Sequence, residues 1–153
     1  MGHQTRETAF ALGDGIAAAC RIRDDGSGAS QNPTDIGSGS AGRVPLETEA
    51  IESGPAGVLL IASSDLSHYE TADVASRMDA VVVEHVEALD PKGLMTALEH
   101  EPRHACGGGP MVAVMHAARQ LGASEAQVLR YADSGDVSGD KSSVVGYLAA
   151  AVF

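Results

Sequence analysis

The sequence predicts an α/β fold, a partial sandwich in which a small mixed sheet is flanked by helices. Three observations carry this reading. The run GVLLIA at 57–62 is short, apolar and uninterrupted, as in a strand buried on both faces of a mostly parallel sheet. Between 74 and 89, Val74, Met78, Val81, Val82, His85, Val86 and Leu89 share one side of a helix, while Asp73, Glu84 and Glu87 occupy the others. Finally, 128–133 and 144–152 read as strands around the turn-rich connection SGDVSGDKSS.

In chain order, Ala9, Leu12, Ile16, Ala19 and Cys20 are spaced by three and four, so residues 1–23 hold one amphipathic helix, weakened by Gly13 and Gly15. Residues 24–55 change to Gly, Ser, Asp and Pro, as in DDGSGASQNPTDIGSGSAG. A structureless stretch of about 30 residues exceeds an ordinary connection and reads as a flexible insertion. Residues 56–153 form the carboxyl-terminal domain. After the 74–89 helix, Asp90 and Pro91 give an N-cap and an N1 proline for a shorter helix through Leu94, Met95 and Leu98, ended by Pro102. Gly107, Gly108, Gly109 and Pro110 precede a third helix carrying Met111, Val114, Met115, Ala118 and Leu121, closed by Gly122. Three short strands and three or four helices do not easily cover both faces of a sheet whose strands look wholly apolar. Either subunits associate, or further strands are encoded elsewhere.

Composition narrows the function classes. The 153 residues carry 10 Lys plus Arg against 21 Asp plus Glu, a formal net charge of -11. One domain of this size buries roughly 70% of its unfolded surface. At 44% hydrophobic residues and a mean hydropathy of -0.01, the chain is neither disordered nor membranous. Its longest apolar runs fall well short of the roughly 20 residues a bilayer span needs. An acidic surface without Trp disfavours nucleic acid. No signal-like start is present, and the expected compartment is the cytoplasm. Cys20 and Cys106 imply no disulfide framework.

The chemistry concentrates at SSDLSHYE, residues 63–70, beyond the carboxyl end of the 57–62 run. There a carboxylate, Asp65, and an imidazole, His68, lie three residues apart and can converge on one ion or serve one substrate as acid and base. The plainer reading is that Ser64 or Asp65 caps the next helix and His68 is solvated. Cys106 precedes a helix N-terminus, whose free N–H groups and dipole favour a thiolate suited to metals and electrophiles. The plainer reading is a small buried hydrophobe. His85 reads as a core residue, His104 as a loop histidine that could chelate beside Cys106, and His116, placed after the third helix, as structural. His3 is terminal and His100 exposed. Asp133, Asp136 and Asp140 lack the EF-hand order and read as turn formers.

Three blocks, LLIASSDLSHYE at 59–70, ACGGGPMVAVMHAA at 105–118 and YADSGDVSGDKSSVVGYLAAAVF at 131–153, make the sequence similar to the carboxyl-terminal half of the Memo (mediator of cell motility) family, called AmmeMemoRadiSam system protein B in prokaryotes. That family resembles the catalytic subunit of class III extradiol dioxygenases, non-haem iron enzymes that open catechol-type rings. The resemblance implies an α/β sandwich with one pocket at the strand ends formed by Asp65, His68 and Cys106, and iron or another transition metal as cofactor. The family's H-A-G-Y-type amino-terminal histidines have no counterpart here, and Asp, His and Cys do not make a 2-His-1-carboxylate set. The resemblance therefore implies a metal- or small-ligand-binding module or subunit more than a self-sufficient enzyme. The alternative is a truncated or split extradiol-dioxygenase-like oxidoreductase completed by an amino-terminal-half polypeptide; a degenerate fragment is a third reading. Implied partners are that half or a homo-oligomer and, by family context, AMMECR1-like and radical-SAM proteins.

Overall fold

The computed structural model describes residues 5–24 and 58–153. The flexible segment expected over 24–55 lies outside the described residues except for Asp24, as does His3. The elements run α1 (Arg6–Asp24), β1 (His68–Glu70), α2 (Ala72–Glu87), α3 (Pro91–His100), a 3₁₀ turn (Pro102–His104), α4 (Gly108–Gln120), β2 (Ala126–Asp133), α5 (Gly135–Ser138) and β3 (Val144–Val152). The predicted α/β class, a small sheet flanked by helices, is what forms.

The sheet has the order β1-β3-β2, with both seams antiparallel. No parallel pairing occurs among the described residues, so the mostly parallel sheet inferred from GVLLIA is corrected. Residues 58–62 belong to no strand: Leu59 is 82% and Ile61 76% exposed, while Val58, Leu60 and Ala62 are half-buried. Apolar composition marks this run for burial on both faces, but a strand requires neighbours on its edges. Among the described residues none pairs with it. Val58, Leu60 and Ala62 instead line an apolar groove of about 680 Å³ with Met111, Met115 and Leu148.

The core lies among the helices and under one end of the sheet, built from Leu66, Val82, Val86, Leu89, Leu94, Met95, Leu98, Val112 and Met115. Each such side chain, fully buried, contributes on the order of 1.5–3 kcal/mol. Along α2 the buried line is Ala75, Asp79, Val82 and Val86, flanked by half-buried Val74, Met78 and Val81. The capping expected for α3 is present, as Gly93 N donates to Asp90 Oδ1 at 3.0 Å and Pro91 opens the first turn.

The packed face of α1 differs from the predicted one. Leu12 is 52% exposed and Ala19 is exposed, whereas Ala9, Gly13, Ala17 and Cys20 are buried. Small residues win because α1 lies very close to α4. A Cβ at Gly13 would sit 2.8 Å from the Ala113 carbonyl oxygen. Gly15 has nothing within 4 Å, so only one of the two glycines is a packing requirement. The connection 134–143 holds the short α5, stopped by Gly139 in the left-handed region at φ 78°.

Candidate metal centre

Two limbs of the chain converge at the site. On the first, Leu66 N donates to Gly146 O at 2.9 Å and Gly146 N donates to Ser67 O at 3.0 Å, docking 66–67 on β3. Leu66 and Ser67 are thereby buried, and the flanking Asp65 and His68 are left at the surface side. A bulge then interrupts the β1–β3 pairing between His68 and Glu70. Its extra residue, Tyr69, has φ 62° and is 83% exposed. Left-handed backbone at a non-glycine residue is uncommon and costs of order 1–3 kcal/mol, and a bulge re-aims the side chains beside it. His68 is the residue immediately before it in β1.

The second limb is brought up by backbone contacts. Cys106 N donates to Asp65 O at 3.1 Å, Gly107 N donates to Ser64 Oγ at 2.9 Å, and Ser64 Oγ donates to Asp65 O at 2.7 Å. The approach is this tight because Gly107 has no side chain: a Cβ there would lie 2.7 Å from Ser63 O. Glycine at 107 is thus a steric condition of the seam, and α4 starts immediately behind it.

As a result Asp65, His68 and Cys106 each offer one donor atom, a carboxylate O, an imidazole N and the Sγ, all within 4.8 Å of one another. The Asp65 Oδ2 to His68 Nε2 distance is 3.6 Å. Ligands bonded at roughly 2.0–2.3 Å to a common ion stand about 3–4.6 Å apart, so the set fits a first-row divalent metal with little rearrangement. Mixed carboxylate, imidazole and thiolate donors suit zinc, iron or cobalt more than magnesium or calcium. The capping alternative for this motif is overturned: α2 begins behind Thr71 without a side-chain cap, and Ser64 is engaged by Gly107.

The other histidines stay apart from this set. His85 is half-buried, its Nδ1 3.7 Å from Asp90 Oδ2, rather than a sealed core residue. His104 is half-buried and its buried Nδ1 has no hydrogen-bond partner. His116 lies within α4 rather than after it, 2.8 Å from Asp14 Oδ1 and edge-on to Phe10. The hydrogen bond to His116, then that to Gln120, holds the Asp14 carboxyl below its ordinary range. His100 is exposed, as expected. Asp133 and Asp140 are turn formers, their Oδ1 atoms accepting from Gly135 N and Ser142 N, whereas Asp136 lies in α5; Asp133 and Asp136 together clasp Lys141 Nζ. Both cysteines are free. No described helix is long and apolar enough to cross a membrane.

Sequence reasoning missed one residue beside the centre. Asp79, 0% exposed, accepts from Ser67 N at 2.9 Å through Oδ1 and from the Tyr131 hydroxyl at 2.7 Å through Oδ2. Burial foremost, then this bond to Asp79, raises the Tyr131 hydroxyl well above its usual range. The signal was available as an acid at a core position, four after Ala75 and three before Val82.

Comparison with known proteins adds a family. The family described as Memo-like protein matches residues 47–151. A MEMO1 family protein of Methanosarcina mazei is 47% identical over 98 residues, covering 64% of this chain and 36% of that protein. One from Sulfolobus acidocaldarius is 46% identical over 98 residues, covering 64% and 34%. One from Methanopyrus kandleri is 48% identical over 91 residues, covering 60% and 32%. The chain spans about a third of the length of these curated relatives.

Proposed function

The chain belongs to the Memo-like protein family, and on that premise we propose that it is a metal-binding module in which Asp65, His68 and Cys106 hold one transition-metal ion. The observation that carries the reading is the approach of three chemically suitable donor atoms to within 4.8 Å, contributed by segments about 40 residues apart in the chain. When bound, such an ion supplies Lewis-acid polarisation and, if iron, redox chemistry. The chain's own contribution is to hold the donors. Cys106 is anchored through its N–H to the Asp65 carbonyl, and His68 stands 3.6 Å from Asp65 at the start of the bulged strand.

A single histidine with a thiolate departs from the 2-His-1-carboxylate set of non-haem iron oxygenases. That favours binding over self-sufficient ring-opening dioxygenase activity. The groove formed by Val58, Leu60, Met111, Met115 and Leu148 supports a complementary role for additional Memo-like polypeptide, joined to this chain or separate. It would cover Leu59 and Ile61 and bring further ligands. In that completed form an extradiol-dioxygenase-like oxidation of a small aromatic substrate is the alternative activity.

Anaerobic titration with Co²⁺ or Fe²⁺ tests the proposal. The Asp65→Asn variant should fold and lose metal, since its exposed side chain caps no helix and an amide is a poor ligand. Unchanged metal content in that variant defeats the ligand assignment. Oxygen consumption by the iron-loaded chain alone with a catechol panel would replace the module reading with the enzymatic one.

A further inference from the structure

Asp79 is a carboxyl group sealed in the interior beside the centre, and both of its oxygens are engaged. Oδ1 accepts from Ser67 N at 2.9 Å, and Ser67 lies between Asp65 and His68 in the segment that carries them. Oδ2 accepts from Tyr131 of β2 at 2.7 Å. The group also abuts β3, where a Cβ at Gly146 would fall 1.9 Å from Oδ2. That same Gly146 receives Leu66 N and donates to Ser67 O. One side chain of α2 therefore fixes the 65–68 segment against two strands. Burying a carboxyl group this deeply is costly unless its hydrogen bonds are made, so the arrangement specifies one position for the backbone it holds.

We infer that Asp79 is a positioning residue for the metal centre, setting the Asp65 to His68 geometry through its hydrogen bond to the Ser67 amide. The inference rests on the metal-site reading above, and a ligand-orienting partner of this kind typically affects metal affinity by 10–100-fold. Asp79 touches no ligand atom; its effect passes through the backbone between two of the three donors.

The test uses the full chain with Co²⁺ as the probe, read by the Cys106 thiolate-to-cobalt absorption. Hydrogen exchange of the Ser67 amide in metal-free protein gives a second measurement. Asp79→Ala should weaken Co²⁺ binding at least tenfold and speed Ser67 exchange at least tenfold. Asp79→Asn should recover most of both, because its carbonyl oxygen still accepts from Ser67 while its amide donates to the Tyr131 oxygen. Tyr131→Phe, which removes a sheet contact but leaves the Ser67 bond, should stay within about threefold of the parent. If Asp79→Ala does not fold, Asp79→Ser, whose hydroxyl is too short to reach both partners, takes its place against Tyr131→Phe, with weaker Co²⁺ binding and faster Ser67 exchange expected in the first alone. Parent-like binding and exchange in Asp79→Ala overturn the inference. So does an equal loss in Tyr131→Phe, which would mark a merely structural contact. A parent chain that takes up no Co²⁺ sinks the metal reading instead, while Ser67 exchange still reports whether Asp79 positions the segment.

Discussion

Replacing Gly107 by alanine probes the seam on which the whole centre depends. Gly107 has φ -106° and ψ 29°, a conformation alanine adopts readily, so any cost comes from space rather than from backbone strain. The new Cβ would stand 2.7 Å from Ser63 O, 2.9 Å from Ser64 Cβ and 3.0 Å from Ser64 Oγ. A backbone carbonyl cannot rotate away as a flexible side chain can. Overpacking of this kind costs about 1–3 kcal/mol. Parting the seam also weakens the bonds from Gly107 N to Ser64 Oγ and from Cys106 N to Asp65 O, each worth about 0.5–1.5 kcal/mol. The expected loss is therefore about 2–4 kcal/mol. In urea denaturation followed by circular dichroism, with a slope of about 1.5 kcal/mol per molar, the midpoint should fall by roughly 1–3 M. Gly15→Ala is the internal control: nothing lies within 4 Å of it, and an exposed helical position should gain about 0.5–1 kcal/mol from reduced unfolded-state entropy and better helix propensity. Gly107→Ala should in addition weaken Co²⁺ uptake by displacing Cys106, which Gly15→Ala should leave alone. A Gly107→Ala variant within about 0.5 kcal/mol of the parent, or two variants shifting in the same direction, would refute the steric account of the seam.

Other outcomes follow from the same contacts. Asp90→Ala should cost about 1 kcal/mol of stability by freeing Gly93 N, with Asp90→Ser restoring most of it; equal midpoints for Asp90→Ala and the parent would contradict the cap. The side-chain hydrogen bond from Arg103, followed by the one from its backbone, lowers the Glu101 carboxyl to about 2 from an ordinary 4.5. Because the folded value is the depressed one, this clasp contributes fully above about pH 4.5 and is lost as pH falls toward 2. A carboxyl titration by nuclear magnetic resonance should show it, and a midpoint near the ordinary value would remove the clasp. Leu59 and Ile61 leave apolar surface bare beside the groove, so the chain should bind a hydrophobic dye or self-associate, and Leu59→Ser with Ile61→Ser should diminish the effect. A compact monomer by light scattering, silent to such a dye, would contradict that.

The sequence by itself determined the elements whose causes are local. Helical spacing from Val74 to Leu89 and the Asp90–Pro91 cap depend on interactions within a few residues, and each formed. The grouping of Asp65 with His68 was legible for the same reason, being only three residues apart. That Cys106 joins them was implied by family resemblance; spacing alone left it as open as a buried hydrophobe. The tertiary structure decided whatever depends on which surfaces meet. It chose Gly13 and Ala17 over Leu12 for the packed face of α1, because close approach to α4 rewards small residues. It left 58–62 unpaired, because a strand is completed by neighbours that its own composition cannot supply. It also made burial of Asp79 tolerable: helical spacing puts this acid on the core face, but only in three dimensions do Ser67 N and the Tyr131 hydroxyl arrive to satisfy it.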